Sequence, residues 1–205
     1  TIGTSPGAVV LRTEVMELIQ YQPATPTVGS VPIVFVPPEI SRHYILDLAP
    51  GRSLVEFLVN QGHQVFTISW RNPTPEHRDW NLDTYVAASP EAITTAALIA
   101  GSPDAHVVGL CAGAATAAAL AGHLPATGER RIRALTFFVT VLDTAAETMA
   151  SLFLSEWSAA MAVQGSKRKG ILEGRQLTRM FAWMRPNDLV WNYFVSNYLL
   201  GQDPP

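Results

Sequence analysis

The 205 residues are 48% hydrophobic and 15% charged, with a formal net charge of -3. That balance suits one globular α/β-type domain with a sizeable core, and it excludes the basic surface that nucleic acid would need. One cysteine excludes an internal disulfide framework, and no apolar run reaches the length of a membrane span, so a cytoplasmic protein without a transmembrane segment is expected.

Residues Ala8 to Arg12 and Glu17 to Tyr21 read as a short β-ribbon, closed by Pro23 and Pro26. Val31 to Val36 is an apolar run ending at Pro37-Pro38, the pattern of a buried strand. Ser53 is a good N-cap for a helix over Leu54 to Asn60, which Gly62 should stop. Gln64 to Trp70 alternates and is β-branched, so it reads as the next strand. A polar loop follows from Arg71 to Asp79, then a helix over Asp83 to Ala100 that Pro90 should kink or split.

Ala105-His106-Val107-Val108 reads as a further strand, and Ala114 to Leu120 as a helix of small residues. A turn through Gly128 to Arg131 leads to a strand over Ala134 to Leu142. Strands alternating with helices imply a parallel sheet covered on both faces. From Thr144 the pattern turns wholly helical: Ala145 to Val163, a basic loop at Lys167-Arg168-Lys169, Leu172 to Met184, and Asn187 to Leu200. The expected division is a core over roughly 1–143 and a helical cap over roughly 144–205.

Between the Ala105 strand and the Ala114 helix stands Gly109-Leu110-Cys111-Ala112-Gly113. Strand, Gly-x-nucleophile-x-Gly turn and helix make the elbow of α/β-hydrolase folds, with Cys in place of Ser. Such a turn holds its central residue in a strained backbone, and side chains two positions either side would meet neighbouring backbone. A thiol at a helix N-terminus gains from free N–H groups and the helix dipole, which favour the thiolate. The Ala112 amide is one candidate oxyanion donor, and the other comes from the loop Pro38-Glu39-Ile40-Ser41. Proline has no amide hydrogen, which leaves Glu39 or Ile40, with Ile40 preferred.

The residues supply no clear base or acid. His123 lies far along the elbow helix, and His106 begins the strand whose other end bears Cys111. His43 follows the oxyanion loop and is the one local histidine that could approach. Asp143 could be an acid, but capping the next helix is an equal use for it. No cofactor and no metal site is expected.

Several further segments resemble polyhydroxyalkanoate (poly-3-hydroxybutyrate) synthases. They include Thr4-Ser5-Pro6-Gly7-Ala8-Val9-Val10, Tyr44-Ile45-Leu46-Asp47-Leu48 and Ile68-Ser69-Trp70-Arg71-Asn72-Pro73. Arg185-Pro186-Asn187-Asp188-Leu189-Val190-Trp191-Asn192-Tyr193, with Asn197-Tyr198-Leu199-Leu200 behind it, extends the likeness over essentially the whole chain. The resemblance implies an acyltransferase that polymerises (R)-3-hydroxyacyl-CoA into a polyester with release of CoA, at the surface of a cytoplasmic polyester granule. It carries the nucleophile to Cys111 and implies a homodimer. It also implies that the triad Asp and His lie on strands after Pro205, and that Asp143 is not the triad acid. The chain opens at Thr1 without an initiator Met and stops after an aromatic helix. It is therefore expected to be a fold truncated before its last strands, inactive alone.

Ala114, Glu39 and Ser41 depart from the family pattern. The Ala114 methyl should crowd the helix, and a carboxylate at Glu39 should oppose charge at the oxyanion site. The Lys167-Arg168-Lys169 cluster could meet CoA phosphates or simply be solvated. Another cysteine α/β-hydrolase, such as a dienelactone-hydrolase-like enzyme or thioesterase, and a non-catalytic assembly module are the competing readings.

Overall fold

Near-continuous apolar runs such as Val34-Phe35-Val36 and Val65-Phe66 send alternate side chains to opposite faces, so both faces of their sheet must be covered. The computed structural model, which describes residues 2–126, 130–140, 142–143, 156–184 and 187–203, shows how. Two units divide the chain, one formed by residues 1–72 and 80–144 and the other by 73–79 and 145–205.

The first unit holds strands β1 (Gly7–Arg12), β2 (Met16–Tyr21), β3 (Ile33–Val36), β4 (Asp47–Ala49), β5 (Arg52–Ser53), β6 (Val65–Trp70), β7 (Ala105–Leu110) and β8 (Ile132–Phe138). Its helices are α1 (Leu54–Asn60), α2 (Leu82–Ala100) and α3 (Ala112–Ala126). Six strands form one sheet in the order β1-β2-β6-β3-β7-β8, and β4 and β5 pair separately. The ribbon β1–β2 joins β6 antiparallel, whereas β6, β3, β7 and β8 run parallel.

Val34, Val36, Phe66, Ile68 and Val107 pack on one face with Ala92, Ile93 and Ala96 of α2 and Ala117 and Leu120 of α3. Phe35, Val65 and Val108 pack on the other with Val55 and Val59 of α1. Ser53 caps α1 as its position suggested, its hydroxyl accepting from the Glu56 amide at 2.9 Å. Helix α2 starts from Asn81, whose side chain accepts from the Thr84 amide at 3.2 Å.

Three expectations need correction. Helix α2 is not split at Pro90 but runs on to Ala100, because Ala92, Ile93, Ala96 and Ala97 beyond the proline are buried and hold the later turns. Strand β8 ends at Phe138 rather than Leu142, since Val139 turns to φ +51°, outside any strand conformation. The third concerns the second unit, where α4 (Glu156–Lys169) and α5 (Gly174–Met184) precede two π-helical stretches at Asn187–Trp191 and Phe194–Leu199. Lys167, Arg168 and Lys169 are not a loop but the last turn of α4. Cations suit a helix C-terminus, and the stop comes at Gly170, which takes φ +82° and donates its amide to the Ser166 carbonyl at 2.7 Å.

The segment 73–79 belongs to this second unit: Arg78 Nη2 donates to the Lys167 carbonyl at 2.9 Å. The Ala145 end of the expected helix with Phe153, the Gly128 turn, Val141 and Arg185-Pro186 lie outside the described residues.

Candidate active site

Strand β7 delivers Cys111 to the carboxyl end of the parallel strands, and α3 begins at the next residue. Cys111 is exposed and has φ +49°, a left-handed backbone that residues with a Cβ seldom adopt. Its amide donates to the Phe138 carbonyl of β8 at 2.9 Å, and its carbonyl accepts from the Ala114 amide at 3.1 Å. The strain is therefore held from both sides.

Both flanking glycines are needed for space. A Cβ on Gly113 would strike the Val36 carbonyl oxygen and lie 2.5 Å from that of Pro37. A Cβ on Gly109 would lie 2.6 Å from Ala114 Cα and 3.1 Å from the Ala114 methyl. Ala114 packs against the space a Gly109 side chain would take, its backbone nearer than its methyl, so Gly109 must go without one. The helix N-terminus thus rides directly against the end of β3.

That contact brings the loop after β3 to the elbow. Val36 pairs with Gly109 across the parallel ladder, and the Pro37 carbonyl that follows lies against Gly113 of α3. Pro38 to Ser41 is a tight turn in which the Ser41 amide donates to the Pro38 carbonyl at 3.0 Å. Its two central amides, Glu39 and Ile40, take no part in that bond. Ala112, as the first residue of α3, has an amide with no acceptor one turn back in the helix. The candidate donors Ala112 and Ile40 thus sit on adjoining elements.

Sequence reasoning missed what fixes this loop. The buried indole of Trp70, at the end of β6, donates Nε1–H to the Pro37 carbonyl at 2.8 Å. The Thr116 hydroxyl of α3 donates to Glu39 Oε1 at 2.5 Å. The Tyr85 ring meets Trp70 edge-on at 5.1 Å and Trp80 at 6.2 Å. Burial first, and the Glu39 charge second, push the Tyr85 phenol up from its ordinary range. One signal was available: Thr116 is the only hydroxyl in the run Ala112 to Leu124.

Two of the three histidines weighed from sequence, His106 and His123, stand far along their elements from the thiol. His43 sits in a 3₁₀ turn (His43–Leu46) leading to Asp47. Burial and Arg42 lower its pKa against the opposing pull of Asp47 and Glu17, the burial effect being largest. His106 is at the start of β7, about 16 Å from the thiol end at strand rise. His123 is in the last turns of α3, roughly 18 Å along the helix. Asp143 is exposed, and the helix it was expected to cap begins outside the described residues.

The comparisons with known proteins agree with this architecture. Residues 45–205 match the family described as alpha/beta hydrolase fold. An alpha/beta hydrolase enzyme from the metagenome of Lake Arreo, Spain, superposes with a TM-score of 0.53 at 18% identity, covering 76% of this chain and 50% of that one. A fungal esterase from Rhizomucor miehei gives a TM-score of 0.53 at 16% identity, over 87% of this chain and 53% of the other. The chain belongs to the α/β-hydrolase-fold family.

Residues 1–58 match the family described as the N-terminus of poly-beta-hydroxybutyrate polymerase (PhaC). The chain is 48% identical over 204 residues to poly(3-hydroxyalkanoate) polymerase 1 of Ectopseudomonas oleovorans, covering all of this chain and 36% of that protein. It is 38% identical over 209 residues to the poly(3-hydroxyalkanoate) polymerase subunit PhaC of Cupriavidus necator, covering 99% of this chain and 36% of that one. Within its fold the chain is a member of the polyhydroxyalkanoate polymerase family, and it spans about a third of the length of these curated relatives.

Proposed function

We propose that the chain carries the acyl-accepting centre of a polyester synthase, with Cys111 as nucleophile and (R)-3-hydroxyacyl-CoA as substrate. The observation that carries this reading is the strained, exposed Cys111 at the β7–α3 elbow, flanked by two glycines that cannot accept a side chain. The polymerase names of the relatives matched over the whole chain supply the substrate class.

In the first step the Cys111 thiolate sulfur attacks the thioester carbonyl carbon. The carbon–sulfur bond to CoA breaks, CoA leaves as thiolate and takes up a proton, and a new thioester joins the acyl group to Cys111. The Ala112 and Ile40 amides donate to the oxygen while it carries negative charge. In the second step the terminal hydroxyl oxygen of the polyester attacks that acyl carbon, its proton passing to a base. The carbon–sulfur bond to Cys111 breaks, an ester forms and the thiolate is regenerated. Sulfur keeps the acyl group activated between steps, which an oxygen ester at the same position would not.

With His106 and His123 far from the thiol, these residues alone should turn over little. A cytoplasmic polyester surface and a homodimer complete the reading; both rest on the family resemblance. Among the described residues no helix is long and apolar enough to cross a membrane.

The test is intact-mass measurement after incubation with (R)-3-hydroxybutyryl-CoA at about pH 9, where an ordinary thiol is largely ionised without a base. One acyl adduct with stoichiometric CoA release is expected, absent in Cys111→Ala. The same assay is repeated with the chain joined to the segment that follows the matched region in a relative, where polymer is expected. Free 3-hydroxy acid in place of polymer would make it a hydrolase, and no adduct on Cys111 would remove the acyl-transfer reading.

A further inference from the structure

Thr116 stands in a run of alanines and is fully buried. A helical threonine commonly turns its hydroxyl back to the carbonyl one turn earlier. This one instead donates to Glu39 Oε1, 77 residues away in sequence, at 2.5 Å. Glu39 is one of the two central residues of the Pro38–Ser41 turn, and its neighbour Ile40 offers the candidate oxyanion amide.

We propose that Thr116 and Glu39 are a positioning pair: the hydroxyl, fixed by α3, grips the carboxylate and so aims the Glu39–Ile40 amides at the elbow. The inference rests on the acyl-transfer reading for its purpose, though not for its geometry. Three anchors then define the turn. Trp70 holds the Pro37 carbonyl before it at 2.8 Å, Ser41 closes it onto Pro38 at 3.0 Å, and Thr116 ties its middle to the helix that bears the other donor. Of the three, only Thr116 hydrogen-bonds the middle of the turn to the helix that bears the other candidate donor. A donor pair needs that link, because catalysis by fixed dipoles depends on their being in place before charge develops.

The pair also answers the objection to a carboxylate beside an oxyanion site. Glu39 Oε1 accepts a hydrogen bond from the Thr116 hydroxyl, so the carboxylate has a donor of its own on α3.

The test uses Thr116→Val, Thr116→Ser, Glu39→Ala and Glu39→Gln, with three readouts. Acylation by (R)-3-hydroxybutyryl-CoA at about pH 9 is followed against substrate concentration. Alkylation by iodoacetamide, which needs no oxyanion donor, reports the thiol alone. Amide hydrogen exchange of Ser41 reports the turn. Val and Ala are expected to lower the maximal acylation rate roughly ten- to hundredfold with little change in half-saturation. They should also speed Ser41 exchange about tenfold, while alkylation stays as in the parent. Ser and Gln, which keep the bond, should stay within about threefold of the parent.

Unchanged Ser41 exchange in Val and Ala would overturn the tether, and faster exchange with unchanged acylation would overturn its positioning role. A loss in Gln as large as in Ala would also overturn it, since that would make the carboxylate's charge or basicity the active property. If the parent itself is not acylated, the acyl-transfer reading fails, and the tether stands or falls on the exchange rates alone.

Discussion

The connection from β3 to α1 passes two fixed points, and they are held by opposite means. At the elbow end, Val36 and Pro37 lie against Gly113 so closely that a methyl group has no room. At the other end, Asp47 is 1% exposed and accepts from the Ser5 amide at 2.9 Å and the Ser5 hydroxyl at 2.7 Å, while its own carbonyl accepts from Gly3 at 2.8 Å. The first region is shaped by exclusion and the second by charge. One should therefore refuse volume and ignore pH, while the other should tolerate small changes of volume and fail in acid.

The largest effect is expected from Gly113→Ala. The clash is with backbone carbonyls rather than the end of a flexible side chain, so the strand or the helix must move, at about 3 kcal/mol or more. A urea midpoint measures it. Asp47→Ala should cost somewhat less, about 1–3 kcal/mol, because it leaves the half-buried Ser5 donors without their acceptor. An Asp47 variant with no measurable loss would remove half of the contrast.

Proton linkage separates the two further. Burial alone would raise Asp47, but hydrogen bonds from Ser53 and Ser5 and the nearby His43 outweigh it, and its pKa is lowered from the ordinary 3.8. His43 is likewise lowered from 6.5. In both cases the unfolded chain binds protons first on acidification. Stability is therefore full above each ordinary value and is lost as pH falls, beginning below about 6.5 for His43 and below about 4 for Asp47. Tyr21 is raised, by burial chiefly and by Asp47 second, so its contribution is lost as pH rises above its ordinary 10.0. Asp47→Ala should flatten the acid limb of the stability profile, and Gly113→Ala should leave the limb's shape as in the parent. Parallel profiles for parent and Asp47→Ala would show that charge does not hold the Asp47–Ser5 contact.

The same division explains what could be read in advance. Exclusion leaves a mark in sequence: Gly109 and Gly113 spaced about Cys111, between a strand and a small-residue helix, sufficed to place the elbow. Alternating and continuous apolar runs likewise located the sheet strands to within a few residues. Polar anchoring leaves almost none. Nothing local pairs Thr116 with Glu39, Trp70 with Pro37 or Ser5 with Asp47, because each bond joins segments brought together only by the fold. The β4–β5 hairpin escaped for a related reason, being two and three residues long with a shift in its pairing between Asp47 and Ala49. At Lys167-Arg168-Lys169 the charge run read as a loop, although a helix C-terminus favours the same residues.

A smaller effect tests the elbow loop alone. Trp70→Phe keeps the ring but removes the N–H that satisfies the Pro37 carbonyl. The loss should be about 1–2 kcal/mol, read from the urea midpoint, with faster exchange at Ser41 if the indole steadies the turn. A change confined to the midpoint would make Trp70 a core anchor rather than a loop anchor.

The smallest expected change has the opposite sign. Gly122 lies in the same helix as Gly113, exposed, with nothing within 4 Å of the place its Cβ would take. Gly122→Ala should therefore stabilise by roughly 0.5–1 kcal/mol, since alanine is the better helix former. Both substitutions add one methyl to α3 and carry a helix-propensity gain of similar kind. The difference between their urea midpoints thus isolates the collision with Val36 and Pro37. If the two variants differ by less than about 1 kcal/mol, the strand end yields to a methyl group, and something other than exclusion holds Cys111 in its left-handed turn.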